Sequence, residues 1–132
     1  MYIIPSAHET LEKDESSEHK YVGYIVKAGG ITIYHSEDTC PYDGLVERLR
    51  KWTIDIALLP INGRDPDYGI KGNFTVKEAT LLGQDIQARL VIPCHYEMFE
   101  FNTVLPQEFI LLVQTYKVPY KILNSGERLS IL

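Results

Sequence analysis

Two β-rich runs meet across Ala28-Gly29-Gly30, and the segments beyond them alternate between buried-strand and helix patterns. That order constrains the fold more than any other feature. Tyr21–Lys27 and Ile31–Tyr34 read as a hairpin, its paired glycines supplying the positive φ of a tight turn. Val22, Tyr24 and Val26 share one face of the first strand, and Ile31 and Ile33 share one face of the second. Ile54–Leu59 and Leu90–Pro93 are short continuous apolar runs, the pattern of strands covered on both faces.

Three helices separate or follow these runs. Pro41 opens the first, with Tyr42, Leu45, Val46 and Leu49 at i, i+3, i+4 and i+7. The second starts at Thr75, where Glu78 completes a capping box. The third begins near Pro106, with Phe109, Leu112, Val113 and Tyr116 on one stripe. Tyr2–Pro5 reads as a strand, Leu11–Lys20 as an exposed charged loop in which His19 is solvated, and Tyr120–Leu123 and Arg128–Leu132 as two strands around Asn124-Ser125-Gly126. The class is α/β: a mixed sheet, antiparallel first, then strand–helix alternation.

A chain of 132 residues supports one domain with a core. Its net charge of -5, with acid concentrated in Glu9–Glu18, disfavours nucleic acid as a partner. No apolar run approaches the roughly 20 residues of a membrane helix. Cys40 and Cys94 make no disulfide framework and fit a reducing cytoplasm, and Met1–Pro5 lacks the marks of a signal peptide.

Three strand ends run into metal-capable residues: Pro5-Ser6-Ala7-His8-Glu9, His35-Ser36-Glu37-Asp38-Thr39 and Ile92-Pro93-Cys94-His95-Tyr96. Two imidazoles and a carboxylate suit zinc, manganese or iron, provided that folding brings them together. His35 reads either as a group that orients the Asp38 loop or as an ordinary strand-end histidine. Cys94 adjoins His95, but neighbours on extended chain point to opposite faces, which favours an inert buried thiol over a nucleophile. Asn62-Gly63-Arg64-Asp65 reads either as a polar turn or as a cleft loop in which Arg64 meets a substrate anion.

These segments, with Leu58-Leu59-Pro60-Ile61 before the turn and Gly72-Asn73-Phe74-Thr75 after it, resemble in order the second half of a metallo-β-lactamase-fold hydrolase, in the branch that includes L-ascorbate 6-phosphate lactonase. The resemblance runs over nearly the whole chain. It implies half of a four-layer αββα sandwich, with helices on one face of the sheet. It also implies a two-metal hydrolase holding divalent zinc or manganese, in which a metal-activated hydroxide attacks an ester, lactone or phosphoester of a small anionic metabolite. His8, Asp38 and His95 match metal ligands, with Asp38 and His95 the catalytic pair. Asn62, Arg64 and Tyr96 fall where substrate binds, and His35 and Glu37 fall behind the ligands. Two departures stand out. The His-x-His-x-Asp-His motif of the family's first half is absent, and Glu37 replaces the usual glycine before the bridging Asp. The expected partners are therefore a small-molecule substrate and either a second copy or a companion chain supplying the first half. The competing expectation is a non-catalytic remnant that self-associates or binds a partner.

Overall fold

The computed structural model describes residues 1–98, 100 and 104–131. Strands β1 (Tyr2–Pro5), β2 (Val22–Ala28), β3 (Ile31–His35), β4 (Ile56–Pro60) and β5 (Val91–Cys94) form one sheet in sequence order. The first two pairings are antiparallel and the last two parallel. Gly29 and Gly30 take φ of 57° and 82° at the hairpin tip, which is the left-handed turn that glycine permits.

Helices α1 (Leu45–Leu49), α2 (Val76–Asp85) and α3 (Pro106–Thr115) pack on one face of the sheet. Ile4, Ile25, Tyr34, Ala57, Leu59 and Val91 point toward them and share a core with Leu45, Leu49, Ala79, Leu82, Phe109 and Val113. Alternation puts the complementary set on the other face. Ile3, Tyr24, His35, Leu58 and Ile92 form a register row straight across the sheet. Ile3 is 63% exposed, and Val22, Tyr24, Val26, Ile31, Ile33 and Leu58 are half-buried. This apolar face carries no helix among the described residues.

The α2 capping box forms as expected: the Thr75 side chain accepts from the Glu78 amide at 3.2 Å, and the Glu78 carboxylate accepts from the Thr75 amide at 2.8 Å. Three expectations are corrected. Helix α1 starts at Leu45, not Pro41, because Gly44 at φ 94° breaks the backbone and Tyr42 instead donates its hydroxyl to the Pro5 carbonyl. The two C-terminal strands are absent among the described residues, Leu132 lying outside them. A single parallel bridge joins Tyr120 to Val91, and Pro93 has no N–H with which to extend it. His19 is half-buried, because a Lys13–His19 bridge folds the acidic loop back on itself.

Candidate metal site at the carboxyl rim

Because β2 alone runs against the other strands, β1, β3, β4 and β5 all end at one rim. The loops bearing His8, Asp38, Asn62–Arg64 and His95 therefore leave the sheet side by side, where α/β sheets place their ligands. Buried polar groups then lock the first two loops together. The Ser6 hydroxyl donates to the Ser36 carbonyl at 2.8 Å, and the Ala7 amide donates to Thr39 Oγ1 at 2.9 Å. The Cys40 amide returns a bond to the Ala7 carbonyl at 2.8 Å. Ser6, Ser36 and Thr39 are all buried, so each bond forms out of reach of competing water. Small polar residues after strand ends are the one local sign of these latches.

Asp38 and His95 meet at this rim, with Asp38 Oδ1 3.3 Å from His95 Nδ1. His95 holds φ at 56° and Glu37 at 55°, both left-handed. Neither residue takes that conformation without cost, and such strain concentrates at functional sites. Glu37 thus occupies the very backbone geometry for which a glycine would be the natural choice. Glu37→Gly is expected to stabilise the chain by about 0.5 kcal/mol, since relief of left-handed strain slightly exceeds glycine's added unfolded-state entropy. Urea denaturation reads this; a loss of stability would mean that the Glu37 side chain, not its φ, sets the loop. His35 Nδ1 accepts the Glu37 amide at 3.1 Å and lies 3.7 Å from the Glu37 carboxylate. His35 braces the loop through its backbone.

Other site candidates are engaged elsewhere. Arg64 donates both arms of its fork to Glu78, at 2.9 and 2.7 Å, and a further bond to the Asn73 carbonyl at 2.7 Å. The anion-contact reading of Arg64 needs that fork, and the structure gives it to the capping box of α2. The Tyr96 hydroxyl donates to the Leu123 carbonyl at 3.1 Å and ties down the C-terminal segment. Asn62 lies half-buried on the loop after β4, lining an open hollow of about 590 Å³ with Ile61, Thr75 and Leu112. Burial pushes the Cys94 thiol up to about 11, and burial likewise raises that of Cys40. Neither sulfur is poised as a thiolate nucleophile.

The donor chemistry of Asp38 and His95 fits a divalent cation, and so does their place at the rim. The number of donors falls short of a shell: among the described residues no group of three or more His, Cys, Asp or Glu side chains is close enough to hold an ion. A catalytic zinc normally takes three protein ligands.

A β-lactamase superfamily domain matches residues 1–96, and the chain belongs to that superfamily. A metal-dependent hydrolase of Pyrococcus furiosus is 37% identical over 124 residues, covering 88% of this chain and 51% of the relative. One from Methanosarcina mazei is 33% identical over 113 residues, covering 83% and 45%. Among solved structures, a metallo hydrolase from Ignicoccus hospitalis superposes with a TM-score of 0.74 at 22% identity, over 95% of this chain and 49% of that one. The isothiocyanate hydrolase from Delia radicum gut bacteria gives 0.70 at 15% identity, over 89% and 46%. The chain spans about half the length of the curated relatives it matches. The fold is therefore a partial metallo-β-lactamase domain: a mixed sheet with helices on one face. No helix among the described residues is long and apolar enough to cross a membrane.

Proposed function

We propose that this chain is the carboxyl-terminal portion of a cytoplasmic metal-dependent hydrolase acting on a small anionic ester, lactone or phosphoester. The observation that carries the reading is the approach of Asp38 to His95 at the rim where four strands end, in a chain of this superfamily. The names of the relatives support the reaction class, and the resemblance in motif order to the L-ascorbate 6-phosphate lactonase branch makes a lactone the first substrate to try. Asp38 and His95 would hold zinc or manganese together with His8. Such an ion supplies Lewis acidity and activates water near neutral pH. Glu37 and His35 fix the Asp38 loop, while Asn62 and the Tyr96 ring line the approach for substrate. Cys40 and Cys94, both free, suit a reducing compartment.

The missing donors come, on this reading, from a polypeptide that covers the open sheet face. That occupant corresponds to the half of the relatives' length that this chain does not span, and it needs an apolar sheet face of its own to bury Ile3, Tyr24 and Leu58. The exposure of the same face equally favours a second reading, a self-associating or partner-binding module without catalysis. Metal content and hydrolysis of lactone and phosphoester panels decide between them, measured on the chain alone and on the chain combined with the first half of a relative. The combined preparation is expected to take up metal and turn over, with Asp38→Ala and His95→Ala each losing at least about 100-fold in activity. No uptake and no turnover in either preparation would end the hydrolase reading. A dimer of the lone chain by light scattering would instead place a second copy on the sheet face.

A further inference from the structure

We infer that Tyr21 and Gly72 are positioning residues that form a slot for the His8 ring and fix the direction of its nitrogens; this rests on the reading of His8 as a metal ligand. The His8 and Tyr21 rings stack with centroids 3.7 Å apart and planes inclined by 16°. Tyr21 is itself anchored, since its carbonyl accepts the Ser6 amide at 2.9 Å. On another side lies Gly72, from which a Cβ would stand 2.9 Å from His8 Cα, 3.3 Å from Cδ2 and 3.3 Å from the carbonyl oxygen. Only a residue without a side chain fits there, and φ of +66° at Gly72 independently favours glycine.

The chemistry of an imidazole explains why such a slot serves ligation. Metal bonds lie in the ring plane, along the nitrogen lone pairs. A partner stacked on the face removes rotational freedom while leaving those in-plane directions unspent. Tyr21 thus acts as a lateral wall, where an ordinary hydrogen-bonding partner would consume one nitrogen. The glycine lets the backbone at position 72 close on that of His8. Neither residue needs to touch the ion.

The full 132-residue chain tests this by NMR of the His8 ring protons. In wild type these signals should show the ring-current displacement of a stacked aromatic. Tyr21→Phe should retain it, and Tyr21→Leu should lose it. Zn²⁺ affinity, measured on the chain combined with the first half of a relative, should fall about tenfold in Tyr21→Leu and in His8→Ala, and stay unchanged in Tyr21→Phe. Gly72→Ala should move the same His8 signals; if that variant fails to fold, the two Tyr21 variants carry the test. Wild-type signals and wild-type affinity in Tyr21→Leu would overturn the slot. Undiminished Zn²⁺ affinity of that combined preparation in His8→Ala would overturn His8 as a ligand, while the ring-current shift of the lone chain would still decide whether the slot exists.

Discussion

Gly23→Ala is expected to cost about 3 kcal/mol, or to leave the chain unfolded, at a position whose φ alone would tolerate alanine. A Cβ there would lie 2.5 Å from the His35 carbonyl oxygen, 2.7 Å from that of Ser36 and 2.9 Å from the Ser36 carbonyl carbon. All three obstacles are backbone, so no side chain can swing aside. Either β2 moves away from β3, or the segment from Ser36 onward lifts from the sheet. The second route carries Asp38 away from His95, so stability and metal uptake should fall together. Urea denaturation followed by the fluorescence of Trp52, the only tryptophan, gives the first quantity. Gly126→Ala is the comparison: nothing lies within 4 Å of its Cβ, and its φ of +82° should cost only about 1 kcal/mol. A Gly23→Ala chain within about 0.5 kcal/mol of wild type would show that the crowding at this crossing relaxes freely.

Glu78→Ala should destabilise by about 2 kcal/mol, because one carboxylate serves two structures. It closes the capping box of α2 and fills the fork of Arg64, whose side chain is 33% exposed while that of Glu78 is 28% exposed. The cap contributes about 1 kcal/mol, and a partly exposed ion pair contributes no more than about another. Acid should reproduce part of this loss. Burial by itself pushes the Glu78 carboxyl up, but the bonds from Arg64 and from the Thr75 amide outweigh it and hold the group below its ordinary 4.5. A carboxyl held low in the folded state contributes stability that is full above its unfolded value and disappears as pH falls through the folded one. Wild type should therefore lose urea resistance below about pH 4.5, and Glu78→Gln should lose less over the same interval. Parallel pH profiles for the two chains would remove the Arg64–Glu78 pair from the account of acid sensitivity.

The Arg64 pairing also marks where reading from the sequence reaches its end. Thr75 and Glu78 sit three residues apart, and a capping box is a local geometry, so its presence was legible. Arg64 lies 14 residues before Glu78, and nothing local distinguishes a guanidinium bound for a helix cap from one awaiting an anion. Tyr96 is similar: its hydroxyl bonds a carbonyl 27 residues away, a contact that its place after His95 did not announce. The C-terminal strands failed for a related reason, since their β-rich composition took no account of Pro93 on the strand they would have joined.

What the sequence determined by itself was the inventory and the order: a glycine-tipped hairpin, apolar runs between helices, and His8, Asp38 and His95 each just past a strand. Hydrogen bonds over a few residues and apolar periodicity decide these, and both are written in neighbouring positions. The tertiary structure alone decided which of those groups meet. Strand direction brought four loop-bearing ends to one rim, buried bonds spanning about 30 residues joined the Ser6 and Thr39 loops, and Asp38 reached His95 as a consequence. Such contacts depend on the burial of small polar groups between distant segments, a property that no stretch of sequence possesses until the sheet has formed.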